Sequence, residues 1–278
     1  MPEWMGKRVF ASMLLEPEEL DRWCYHYTTR DTAIQHVLYN RTLKLSKFKY
    51  VNDPRENKLD GFSFPVIDHD DGSITIERSP SIGEASRLLT SRTLVLCMSK
   101  DPRDASSHGI RRRGFRKQRM WAQYAGNHTG VCLAFDRLKL EAAIAQQIDA
   151  KGHLFFGDVD YDDGFKTPHE AFSLDPREVK TRGLDDILRE KVQAYHRYFF
   201  FLKDPDWSNE CEWRSVFYGE SEQELYIEFR DSLVAVFLGA DFPEAYDRTI
   251  VESISDLEIE VTKLTISATG IIGETNVR

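Results

Sequence analysis

The run TLVLCMS (93–99) is apolar almost throughout. A strand of that kind needs cover on both faces, so it belongs inside a sheet. GVCLAFD (130–136) is a second core strand, and LVAVFLG (233–239) reads as another. Around them, CYHYTT (24–29), TLKLS (42–46), LFFGDVDYDD (154–163), ECEWRSVFY (210–218), ELYIEF (224–229) and LEIEVTKL (257–264) read as strands, with SITIE (73–77) as an edge strand or hairpin arm. Helical spacing marks DTAIQHVLYN (31–40), EASRLLTS (84–91), LKLEAAIAQQID (138–149), FPEAYDRTIVESI (242–254) and a short turn MWAQYA (120–125). The longest predicted helix is 184–203, with Ile187, Leu188, Val192, Tyr195 and Phe199 on its inner stripe. Strands and helices mix without regular βαβ alternation, which predicts an α+β fold. No linker rich in Pro, Gly or Ser divides the chain, so a leader over 1–20 and one domain over 21–278 are expected.

Composition narrows the function. At 41% hydrophobic and 30% charged residues, the 278-residue chain is globular rather than disordered. A net charge of −9 argues against a general basic coat for nucleic acid, though not against a local basic groove. The four cysteines (Cys24, Cys97, Cys132, Cys211) form no CxxC, so reduced core thiols and no metal site are expected. The first twenty residues are broken by charges and no apolar run approaches the roughly 20 residues of a membrane span. A cytoplasmic protein with no membrane partner is expected. Neither GxGxxG nor GxxxxGK[ST] occurs, which removes the two commonest phosphate loops.

Four stretches carry polar chemistry. YHYTT (25–29) ends a strand with His26 and Thr28 on one face, an arrangement also met in ordinary cores. VNDPRE (51–56) is a turn first, with Glu56 beside it. RRRGFRKQR (111–119) is basic, lacks any acid and has Phe115 in its middle; a solvated loop and a phosphate-rich partner are both open. In NECEWRSVF (209–217), a strand would put Glu210, Glu212 and Arg214 on one face, and Cys211, Trp213, Ser215 and Phe217 on a core face. Spacing alone leaves that charged row either solvated or functional.

Taken in order, YHYTTRDTAIQHVLYNRTLKLS, VNDPRE, LVLCMSKD, MWAQYAGNHTGVCLAFD, VDY and WSNECEWRSVF closely resemble the bacterial family called domain of unknown function 2971, from about Tyr25 to residue 239. That family in turn resembles the ADP-ribosyltransferase fold, its YHxT start being similar to that of DNA-modifying ADP-ribosyltransferase toxins and RNA 2′-phosphotransferases. The resemblance implies a split, mixed or antiparallel β-sheet with flanking helices, cradling NAD+ as co-substrate. It implies that His26 bonds the adenosine-side ribose and that Thr28, or the backbone beside it, grips the nicotinamide. Tyr124, with Trp121 behind it, would wall the nicotinamide pocket, and Ser99 would fill a polar position of the second motif. Tyr27 and Asn52 belong to the same cofactor-binding set. Glu212 is the implied catalytic acid, with Glu210 the alternative, and Arg214 would orient the carboxylate or meet a phosphate.

Two departures from the family stand out: CMSK replaces an SFS-like second motif, and the segment between Ser99 and Met120 is longer and more basic. A nucleic-acid acceptor, DNA or RNA, is therefore expected to meet Arg111, Arg112, Arg113, Phe115 and Arg116. The implied function is an NAD-dependent ADP-ribosyltransferase, acting as a toxin or anti-phage effector with an antitoxin or defence-system partner. A non-catalytic nucleotide- or nucleic-acid-binding module and an NAD+ glycohydrolase are the competing readings.

Overall fold

Extended chain forms where the sequence alternates or runs apolar. The computed structural model describes residues 21–54, 56, 59, 64–68, 73–77, 80–102, 113–148, 152–162, 168–220, 222–268 and 270–277, with 64–68, 73–77, 80–82 and 270–275 described by backbone alone. The first strands are β1 (Trp23–Thr28), β2 (Thr42–Lys47), β3 (Phe64–Asp68), β4 (Ser73–Glu77) and β5 (Thr93–Lys100). After them come β6 (Val131–Asp136), β7 (His153–Asp158), β8 (Asp160–Tyr161), β9 (Leu202–Lys203) and β10 (Glu212–Tyr218). The last are β11 (Leu225–Glu228), β12 (Leu233–Leu238), β13 (Glu260–Ser267) and β14 (Gly270–Asn276).

One ten-stranded sheet runs β11-β2-β5-β1-β6-β12-β13-β14, with β10 pairing β5 and β7 pairing β10 off that path. Only β12 and β13 are parallel within it, so the sheet is mixed and the class is α+β. SITIE is a hairpin arm, paired with β3.

The branch at β5 matters most. Along one edge β5 pairs with β10 from Thr93 to Ser99. Its other edge is shared: β2 takes Leu94 and Val95, while β1 takes Ser99 and Lys100. Between those contacts β1 and β2 have parted, and at Leu96, Cys97 and Met98 the sheet opens into a fork.

Alternation assigns the faces. Leu94, Leu96 and Met98 pack with Trp213 and Phe217 on one side, and Val95 with Val216 and Tyr218 on the other. The second side is covered by the Leu184–Phe200 helix through Ile187, Leu188, Val192, Phe199 and Phe200. That cover explains why the charged row of β10 meets no solvent: every residue of the strand is buried. A third group, including Trp23, Tyr25, Tyr27, Phe115 and Trp121, lies on the outer face of β1, β6 and β12.

Several boundaries differ from the expectation, each for a local reason. The long helix stops at Phe200 rather than residue 203, because Leu202 and Lys203 turn to pair parallel with β8. Glu210 is not in the strand; it ends a 3-10 turn (Pro205–Glu210), and Cys211 at φ 45° turns the chain into β10. The helix after β1 begins at Arg30 and continues as a π-helix over Ala33–Leu38, with the Thr29 hydroxyl capping the Thr32 amide. Thr29→Ala should therefore cost about 1 kcal/mol in urea unfolding, and an unchanged midpoint would deny the cap that role.

Candidate active site at the fork of the sheet

The fork opens a cleft of about 250 Å3, lined by residues of β1, β2, β5 and β10 and of the segments beside them. Of the residues singled out from sequence, His26, Tyr27, Asn52, Ser99, Tyr124, Glu210, Glu212 and Arg214 all line it. They come from distant parts of the chain, and the parting of β1 from β2 brings them together.

At its floor is a buried ionic network. Arg214, fully buried, donates from Nε to Glu212 Oε1 at 2.8 Å and from Nη2 to Oε2 at 2.9 Å. The same guanidinium grips Glu56 with both terminal nitrogens and donates to the Phe200 carbonyl at 2.6 Å. Lys203 Nζ lies 2.6 Å from Glu210 Oε2 and 3.1 Å from Glu212 Oε2. Buried charges persist only when paired and hydrogen-bonded in this way. Burial by itself would raise the Glu212 carboxyl, but Arg214 and Lys203 outweigh it and hold it down at about 2. For Lys203, burial opposes the charge, and the two carboxylates overcome it and keep the ammonium protonated well above the usual lysine range. Glu212 is thus a fixed negative charge across the physiological range.

Glu210 is held differently. Its Oε1 accepts from the Tyr124 hydroxyl at 2.7 Å, and that hydroxyl accepts from Asn52 Nδ2 at 3.1 Å. Its backbone carbonyl accepts from Ser99 Oγ at 2.6 Å and from Lys117 Nζ at 2.8 Å. Ser99 thus anchors the Glu210 turn while also facing the cleft. His26, half-buried, is pulled down to about 4 by desolvation, against a hydrogen bond with the Cys97 backbone. At neutral pH it is an uncharged hydrogen-bonding ring.

Two expected cofactor-binding residues do not line the cleft. Thr28 is buried at the end of β1, opposite Val131. Trp121 is buried behind the cleft, donating from its indole to the Phe115 carbonyl at 2.7 Å and meeting Tyr27 edge-on. It supports the wall without lining it.

The basic segment needs a larger correction. Arg111 and Arg112 lie outside the described residues. Arg113, Phe115 and Arg116 are buried, so they offer no surface to an acceptor. Arg113 pairs with buried Asp101 at 2.7 Å, and Phe115 stacks on Phe237 with ring centres 4.1 Å apart. Further on, Arg119 donates to the Asp206 carbonyl at 3.2 Å and covers the Trp207 ring. With Lys117 on Glu210, this stretch braces the turn that carries the glutamate.

Sequence reasoning missed Lys203, Lys117, Lys44 and Lys47, all of which line or support the cleft. The one legible signal was Lys203 itself, a lysine directly after the apolar FFFL run. Among the described residues, no group of three or more His, Cys, Asp or Glu could hold a metal ion. No helix of the described residues is long and apolar enough to cross a membrane.

Residues 120–215 match the family described as "Protein of unknown function (DUF2971)". That stretch holds Tyr124, Lys203, Glu210, Glu212 and Arg214 but stops short of His26, Asn52 and Ser99. No curated protein and no solved structure matches the chain.

Proposed function

We propose that the fork binds NAD+ and that the protein transfers ADP-ribose to an acceptor. The observation that carries this reading is the convergence of His26, Tyr124, Glu210 and Glu212 on one cleft from separate parts of the chain. A volume of about 250 Å3 is near the lower end for ligand pockets, roughly 300–1,000 Å3, so one end of a dinucleotide fits within and the rest lies over the mouth. Lys44, Lys47 and Tyr50 stand on the cleft wall, with Tyr50 64% exposed. Lysines and an open aromatic face suit phosphates and a base.

The chemistry follows from the charges. Nicotinamide leaves with the electron pair of its bond to ribose C1′, and positive charge develops on the sugar. Glu212, ionised and immobile, meets that charge without reorganising. It is too weak a base to take the acceptor's proton as the acceptor oxygen or nitrogen bonds to C1′. That proton passes to Glu210, whose restraints are the exchangeable Tyr124 hydroxyl and Lys203.

The test is to incubate purified protein with NAD+ labelled in the adenosine half and with DNA, RNA or protein, and to follow transferred label and free ADP-ribose separately. Label on DNA, RNA or protein supports the reading and names the acceptor class. Free ADP-ribose alone identifies a hydrolase, and no consumption of NAD+ under any condition denies turnover. Substituting both Lys44 and Lys47 by alanine should raise the KM for NAD+ roughly tenfold, about 1.4 kcal/mol, with little change in kcat. An unchanged KM would remove those lysines from the phosphate path.

A further inference from the structure

Lys203 reaches the site because the long helix ends at Phe200 and β9 pairs with β8. Its side chain is buried, an unfavourable place for an ammonium unless each of its hydrogens finds a partner. Here each has one: Glu210 at 2.6 Å, Glu212 at 3.1 Å and the face of Trp207, 4.6 Å from the ring centre. Glu56, Glu210 and Glu212 share Arg214 and Lys203, three carboxylates against two cations. Arg214 is committed to Glu56 and Glu212, so Lys203 is the cation on the Glu210 carboxylate among the described residues.

We propose that Lys203 is the positioning residue of this site: set between Glu210, Glu212 and Trp207, it holds both carboxylates side by side at the cleft. Without it, two negative charges would face each other in a site of low polarity, and one would take up a proton. Arg214 holds Glu212 by both oxygens, so Glu210 is the carboxylate that depends on Lys203 for its place. Other charged and titratable groups face the pair from each neighbouring element. Around Glu212 stand Cys97 of β5 and Tyr161 of β8, whose hydroxyl accepts from the Glu212 amide at 2.8 Å. Around Glu210 stand Tyr124 and Lys117, the latter beside Cys211. Glu56 joins the network through Arg214, and Asp53 accepts from the Asp204 amide at 3.3 Å. None of these brings a second cation onto the Glu210 carboxylate, so none replaces Lys203.

The test has two arms, and only the kinetic one rests on the ADP-ribosyl transfer reading. Protein labelled with 13C at the glutamate carboxyls is titrated by NMR as wild type, Lys203→Met and Lys203→Arg, with Glu212→Gln assigning the resonance. In Lys203→Met the Glu212 carboxyl should titrate above wild type, and Lys203→Arg should restore most of the difference. In the kinetic arm, kcat for NAD+ turnover should fall in Lys203→Met and recover in Lys203→Arg. If Lys203→Met is too unstable to titrate, Lys203→Arg against Lys203→Gln gives the same contrast. A Glu212 titration that is unmoved in a folded Lys203→Met or Lys203→Gln protein overturns the proposal. A shifted titration with no NAD+ consumption in any variant upholds the role of Lys203 and counts against the transferase reading instead.

Discussion

Arg214→Met is expected to lower the free energy of unfolding by roughly 3–5 kcal/mol, the usual cost of removing one partner of a buried ion pair. The guanidinium is fully buried and is bound to both oxygens of Glu212, to Glu56 and to the Phe200 carbonyl. Methionine fills much of the volume but strips Glu56 of its ion-pair partner and leaves Glu212 with Lys203 alone, beneath a helix. The loss should therefore shrink when Glu56→Gln and Glu212→Gln are added, because the uncompensated charges go with them. Urea unfolding of the single and triple variants at neutral pH measures both. A single-variant loss below about 1 kcal/mol would place Arg214 among exposed pairs and contradict its burial.

Glu212→Gln should lower the rate of NAD+ turnover by about 10²–10³, the usual effect of deleting one preorganised electrostatic group. The same substitution has a signature in stability. The Glu212 carboxyl is held at about 2 against an ordinary 4.5, so between those values the unfolded chain binds more protons than the folded one. Its contribution is complete above about 4.5 and is lost as the pH falls toward about 2. Glu212→Gln should remove this part of the acid sensitivity, visible as a flatter stability curve over that window. Turnover within a few-fold of wild type in a folded Glu212→Gln protein would take Glu212 out of the chemistry.

Much of this was legible in the chain. Unbroken apolar runs such as TLVLCMS can sit only between covered faces, and β5, β6 and β12 do so. Glu212 and Arg214 share a face because strand alternation is a local rule. The alternation failed at Glu210, where a left-handed Cys211 breaks the strand; a positive φ at a non-glycine residue leaves little trace in composition. The basic segment misled for a different reason. Arginine and lysine read as surface by default, and their partners here are carbonyls and a carboxylate supplied by distant chain. Lys203 was hidden likewise, since its value depends on where a helix stops.

The central claim is that the fork is an NAD+ site built by His26, Tyr124, Glu210 and Glu212. The most direct measurement is calorimetric titration of NAD+ into Glu212→Gln protein, chosen because its turnover should be slow, alone and combined with His26→Ala or Tyr124→Ala. The account predicts saturable binding at one site, weakened about tenfold or more by either added substitution. No saturable binding, or an affinity indifferent to both His26 and Tyr124, would contradict it.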